Sequence, residues 1–248
     1  MNLKFFNCIM SFLVIGNLII SGNGNAQVEE SSRTIVDTQK DPKGKVAARY
    51  DPSHSLYCSA TIITPNIGIT SRHCVGSKKQ EGYIGALYPG QSNLSTPFGK
   101  MNVSTYIPND ASDIAIVKGT ENDMDNSYKQ YLKDVNVIVS AFTEDELKNL
   151  KGKKVYSYGY PGDSLTGYTQ YRSSGIITDY NPVTRDLSTS IPTSPGQSGS
   201  GVFLEDGDKF LGVLHSKFKD KNGKDVGRVT PINERLKKWF DDNTAKSN

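Results

Sequence analysis

The sequence predicts an all-β protein made of two similar-sized halves and closed by one helix. Three observations lead there. Short apolar runs recur along the chain and are cut by Pro, Gly and Asn. A polar stretch from Gly119 to about Lys133 divides those runs into two blocks. Only the C-terminus shows a sustained helical period, with Ile232, Leu236, Trp239 and Phe240 on one face.

Taken in order, the chain opens on a targeting segment. Lys4 supplies a positive start, an apolar stretch from about Phe5 to Ile20 follows, and Gly24-Asn-Ala26 offers small residues before a cut after Ala26. Asn7, Ser11, Gly16 and Asn17 interrupt the apolar stretch, which is too short to span a bilayer comfortably. Residues 1–26 are therefore a signal peptide, and the mature protein is expected to be secreted, with no membrane segment. Residues 27–45 are polar and poor in aromatics, the composition of a pro-segment or a loosely attached arm. The first β block, 46–125, includes Ser59–Thr64, Gly68–Thr70, Gly82–Tyr88 and Asp113–Lys118, with Pro65-Asn66, Pro89-Gly90 and Pro108-Asn109-Asp110 between runs. The second block, 126–230, includes Val135–Val139, Lys154–Tyr158, Gly175–Thr178, Val202-Phe203 and Phe210–Leu214. Thr143, followed by Glu144, Asp145 and Glu146, predicts an N-cap and a turn or two of helix. Pro231 fits the start of the terminal helix, 231–242. The spacing of short strands suggests an antiparallel sandwich or barrel.

Composition narrows the partners. Across 248 residues the hydrophobic share is 35% and the net charge +3, enough for a core and too little charge to argue for nucleic acid. Of three cysteines, Cys8 leaves with the signal peptide. Cys58 and Cys74 remain, an even pair in an oxidising compartment, and predict a disulfide. A metal site is the runner-up, but two cysteines without a nearby ligand cluster make a poor one.

The chemistry is expected around Pro195-Gly-Gln-Ser-Gly-Ser-Gly201. Attack on a carbonyl needs backbone N–H groups aimed at the developing oxyanion, room for the substrate backbone and a general base. Glycines at 196, 199 and 201 permit positive φ and close approach around Ser198. Alone, such a run is more often a turn between strands. The mature chain offers His54, His73 and His215 as possible bases. His73 ends a strand-like run and precedes Cys74, so a bridge there would pin its backbone. Asp113 stands directly before an apolar strand that could carry it inward to orient the imidazole, with Asp110 a local competitor.

The order His73, Asp113, Ser198 is the triad order associated with two β-barrels. In Ser71-Arg-His-Cys74, Asp113-Ile-Ala-Ile-Val-Lys118, Tyr158-Gly-Tyr-Pro-Gly-Asp163, Asp186-Leu-Ser-Thr189, Pro195–Phe203 and Leu211-Gly-Val-Leu-His-Ser216, the chain resembles the glutamyl endopeptidases. These are secreted bacterial trypsin-like serine proteases related to the exfoliative toxins. The resemblance runs from about Ala47 to Asp241 and implies two six-stranded antiparallel β-barrels of the trypsin-like fold with a C-terminal helix. It implies Ser198 as nucleophile, His73 as general base and Asp113 as its orienter, with the N–H groups of Gly196 and Ser198 as oxyanion hole. Cys58–Cys74 resembles the bridge beside the base in trypsin-like enzymes. The reaction would pass through an acyl-enzyme, with no cofactor and no metal, in a protein expected to be monomeric.

The same resemblance implies a pocket for an acidic side chain. Thr193 and His215, five residues before and seventeen after Ser198, would donate to the carboxylate, with Ser216 beside them. Protein or peptide substrates with Glu, and less so Asp, before the cut are expected. Ser188–Pro195 is longer than is typical of the family, so Thr189 could take the place of Thr193. Gln197 stands where digestive trypsin-like enzymes have an aspartate that receives a new N-terminal amine, so that latch is not expected. Gly201 replaces a frequent proline, as in the exfoliative toxins, which keeps open a relative specific for one host protein. A third alternative is an inactive β-barrel binding module, against which the filled triad positions argue.

Overall fold

The computed structural model describes residues 31–163, 167–219, 223 and 225–245. The expected signal peptide and Cys8 lie outside them. Within the expected arm, Ser32–Ile35 forms a strand, β1. The first block contains β2 (Ala47–Pro52), β3 (Cys58–Thr64), β4 (Ile67–Thr70), β5 (Gln80–Pro89), β6 (Met101–Pro108) and β7 (Ala115–Lys118). They close an antiparallel barrel in the order β2-β3-β4-β7-β6-β5. The second block contains β8 (Lys154–Gly159), β9 (Tyr171–Asn181), β10 (Asp186–Thr189), β11 (Gly201–Leu204), β12 (Phe210–Lys219) and β13 (Asp225–Pro231). Their order β9-β10-β13-β12-β11-β8, with β8 returning to β9, closes a second six-stranded barrel. The two-barrel trypsin-like fold expected from the sequence is thus present.

The arm strand has a specific seat. One edge of β9 pairs with β8 along its first half, while the other pairs with β10 from Ile177 onward. That second edge would be open over Tyr171–Ser174, and β1 fills it, Arg33 opposite Ser173.

Helices are few: α1 (Asn126–Leu132), α2 (Glu144–Lys148) and α3 (Glu234–Thr244) among the described residues. The polar connection after Gly119 contains α1, which sequence reading missed. Asp125 caps it by accepting from the Tyr128 N–H, and Tyr128 and Leu132 pack into the first barrel. For α2 the expected Thr143 cap closes a capping box with Glu146. Val135–Val139 is not a strand; its Val137 N–H donates to Ile63 O as an extended connection. Pro231 is the last residue of β13 rather than the start of α3, whose cap is Asn233. Its side chain accepts the Leu236 N–H, an orphan donor of the first turn.

Three apolar cores result. One fills the first barrel around Tyr50, Ile62, Leu87 and Tyr106. Another fills the second around Ile177, Leu187, Leu211 and Leu214. The third lies between them and gathers Ile69, Ile116, Tyr158, Phe203 and Val213 with Ile232, Leu236 and Phe240. α3 is thereby packed against both halves.

Candidate active site

The site forms where β4 of the first barrel meets the loop before β11 of the second. β4 ends in a 3₁₀ turn, Arg72–Cys74, that presents His73. Two devices fix that turn. Cys74 is bridged to Cys58 with an S–S length of 2.03 Å. Arg72 donates from Nη1 to the carbonyls of Asn109 and Asp110 at 3.0 and 2.8 Å, tying the turn to the loop that carries Asp113. Asn109 shapes that loop, its side-chain oxygen accepting the N–H groups of Ala111 and Ser112.

Asp113 accepts twice from His73, at 2.9 Å from the backbone N–H and at 2.7 Å from Nδ1. Asp110 contributes only a backbone carbonyl, so Asp113 is the carboxylate paired with His73. With Nδ1–H committed to the carboxylate, Nε2 is left as the basic nitrogen. Burial pushes the Asp113 carboxyl up, but the His73 side-chain and backbone hydrogen bonds and the nearby imidazoles outweigh it and hold it below its ordinary value.

Ser198 sits between two glycines that no other residue could replace cheaply. Gly199 has φ +93°, and a Cβ there would lie 1.9 Å from Ser59 O. Gly196 has φ +90°, and its Cβ would meet Tyr160 O at 2.5 Å and the Tyr57 ring at 2.6 Å. The loop is seated on the first barrel: Ser59 N–H donates to Ser198 O at 2.8 Å, and Ser59 Oγ to Gly196 O at 2.8 Å. Gly162 N–H donates to Pro195 O at 2.6 Å. Because a trans peptide points its C=O and N–H to opposite sides, this bond fixes the direction of the Gly196 N–H. Among the described residues the N–H groups of Gly196 and Ser198 have no protein acceptor, as an oxyanion hole requires. The Ser198 hydroxyl donates to His215 O at 3.3 Å, and no hydrogen bond to His73 is made in this state. Proton transfer to Nε2 requires the hydroxyl to leave that carbonyl.

The structure does not bring His215 to Thr193. The His215 ring lies between two carboxylates, Nδ1 3.6 Å from Asp113 and Nε2 3.5 Å from Asp186. It lines a cavity of about 110 Å³ with Ser112, Arg185 and Asn233. Strand geometry explains the departure. Neighbouring residues of β12 face opposite ways, and a bulge follows Leu214. Leu214, not His215, therefore points toward Thr189 and Thr193, inside the second barrel. A Cβ on Gly227 would meet Thr193 Oγ1 at 2.5 Å, Leu214 Cδ1 at 3.0 Å and Thr189 Oγ1 at 3.2 Å, so both threonines line this spot. Their hydroxyls donate to Ile191 O and Gly227 O. Ser216 stands across the bulge, paired with Arg228. As for the metal alternative, Cys58, Cys74 and His73 are grouped closely, but both sulfurs are committed to the bridge.

Sequence reading missed Arg72, Ser59 and Gly162, which lay inside quoted runs yet act through hydrogen bonds to distant backbone that no residue pattern displays.

Two antiparallel barrels, with a histidine–aspartate pair on the first and a glycine-flanked serine on the second, define the class of trypsin-like serine peptidases. The profile of the trypsin-like peptidase domain matches residues 58–213, and the chain belongs to that family. No curated protein sequence matches. Among solved structures, a Glu endopeptidase in complex with MPD is similar at TM-score 0.67 and 21% identity, over 88% of this chain and 99% of that one. Protease Anisep from Arthrobacter nicotinovorans gives 0.63 and 17%, over 87% and 100%. An inactivated protease paralogue of the scabies mite gives 0.63 and 18%, over 84% and 98%. Such identities speak for the fold alone; catalysis has to be argued from the site.

Proposed function

We propose that the protein is an exported endopeptidase that cuts peptide bonds through an acyl-enzyme on Ser198. The observation that carries this is the doubly bonded His73–Asp113 pair at 2.7 and 2.9 Å, opposite a serine whose loop leaves two N–H groups free. His73 takes the Ser198 proton and returns it to the leaving amine, Asp113 stabilises the imidazolium, and Gly196 and Ser198 N–H groups receive the oxyanion. Export is supported by the N-terminal signal pattern and fits the disulfide.

The finer reading, Glu before the cut, rests on the Thr193 and Thr189 hydroxyls at Gly227, each of which must give up its bond to Ile191 O or Gly227 O to donate to a carboxylate. It has lost the imidazole expected beside them, and Leu214 adds an apolar wall. A hydroxyl-only site separates a carboxylate from an amide of the same shape less sharply than one containing a cation. A narrower specificity, for one protein target, rests on Gly201 in place of the family's frequent proline.

Digestion of a denatured protein mixture, with every cut mapped by mass spectrometry, tests both levels. Ser198→Ala should lose activity by about 10⁴–10⁶ with the fold kept; turnover within tenfold of the parent would refute the assignment. Cuts concentrated after Glu uphold the acidic preference. Cuts after Leu or Gln at equal frequency refute it and leave the endopeptidase standing. Silence on the mixture, with Ser198 still labelled by a phosphonylating reagent, supports the single-target form.

A further inference from the structure

The most elaborate polar cluster outside the triad lies directly behind the oxyanion loop, and its centre comes from the N-terminal arm. Arg33 on β1 donates through Nη1 to both oxygens of Asp163 at 2.9 Å. Through Nη2 it donates to Ser194 Oγ at 3.1 Å and Gln197 Oε1 at 2.9 Å. Ser194 closes the cluster, its hydroxyl donating to Asp163 and its N–H to Gln197 Oε1. The Arg33 side chain is only 18% exposed, and Gln197 is fully buried. Between Ser194 and Gln197 stand only Pro195 and Gly196, whose shared peptide carries one of the two oxyanion donors. Asp163 is also the neighbour of Gly162, which holds the Pro195 carbonyl.

We propose that Arg33 is a positioning residue for catalysis: its guanidinium, delivered by β1, holds the oxyanion loop in its working form. The inference rests on the endopeptidase reading above. A buried amide oxygen cannot pair with a terminal ammonium as a carboxylate would, but it accepts well from a guanidinium whose charge Asp163 balances. Arg33 is also an internal residue, and its side chain reaches the loop from a strand paired on β9. The working form therefore does not require a free amino group at one defined residue. Any processing before Ser32 leaves the cluster intact, whereas a cut at Arg33–Thr34 removes it from the strand.

The test compares secreted protein starting at Gln27, Ser31 or Thr34 with Arg33→Ala and Arg33→Lys in the full chain. The readouts are kcat, KM, the rate of Ser198 phosphonylation and thermal unfolding. Starts at Gln27 and Ser31 should match within about twofold. The Thr34 start and Arg33→Ala should lose about 10²–10³ in kcat and in labelling rate, the scale of one oxyanion donor, with KM much less changed. Lysine, a point charge without the planar fork, should restore little. Free guanidinium at millimolar concentration should restore part of the Arg33→Ala rate, an effect that a merely structural role would not give. Unchanged kcat in Arg33→Ala overturns the proposal. So does a loss that tracks unfolding and is not rescued by guanidinium. If the parent protein itself is neither active nor labelled, the endopeptidase reading fails and this one with it; if the parent is labelled and Arg33→Ala equally so, only the role of Arg33 fails.

Discussion

Asp113 shows how one side chain can be placed by several elements at once. Its carboxylate is fixed by the His73 backbone and ring, while Asn109 and Arg72 hold the loop beneath it. Asp113→Asn keeps the shape but favours the wrong imidazole tautomer, so kcat should fall on the order of 10⁴ with little change in KM, measured on any peptide the parent cleaves. The pH dependence follows from the depressed carboxyl. Stability from an Asp held below its unfolded pKa of about 3.9 is present above that value and lost as pH falls through the lower folded one. Asp113 thus stays ionised to lower pH than an ordinary aspartate. Any loss of activity above about pH 5 that persisted as an Asp113 titration in NMR would contradict this. The His73–Asp113 pairing was legible in the sequence, and Ser198 stood out as its proposed partner, because each sits in a local pattern: a histidine beside a cysteine, an aspartate opening an apolar strand, a serine among glycines. The pocket was not, because Leu214 and His215 are adjacent and only the strand register decides which faces Thr193.

Among the elements, the β3–β4 hairpin with its 3₁₀ turn has the most direct bearing on catalysis. It is closed by Cys58–Cys74 across a separation of 16 residues. Replacing both cysteines by Ala should cost about 3 kcal/mol of stability on the loop-entropy estimate. It should also lower kcat by loosening His73, both effects being read from denaturant unfolding and peptide hydrolysis. An unchanged unfolding midpoint would contradict it. Strands with β-branched runs and clear turns, such as β3, β7 and β8, were legible in the sequence. β1 was not, since its four residues, Ser32 to Ile35, carry no alternation strong enough to separate a docked strand from an arm. α1 was hidden for a related reason: its apolar contribution is only Tyr128 and Leu132 in a polar stretch, and tertiary packing makes the helix.

At the scale of the whole molecule, the proposed catalytic residues straddle two barrels whose mutual packing is therefore part of the site. His73 and Asp113 belong to the first, Ser198 to the second, and the third apolar core lies between. Gly199 marks a close approach of the two, its missing Cβ leaving room for Ser59 O and the Thr70 hydroxyl. Gly199→Ala combines a positive-φ penalty of roughly 1–3 kcal/mol with a wedge between the barrels. The melting temperature should drop by several degrees. Activity should fall further than that drop explains, with calorimetry and active-site labelling on the same sample as the check. Equal melting temperatures would show that the seam is looser than its geometry. The bridge between Cys58 and Cys74 has a further consequence wherever a peptidase reaches the chain. It makes one covalent ring of the hairpin and the base. A single nick anywhere from Ser59 to His73 opens that ring without producing two separate molecules, so such damage is invisible to a non-reducing gel and appears only once the sulfurs are reduced.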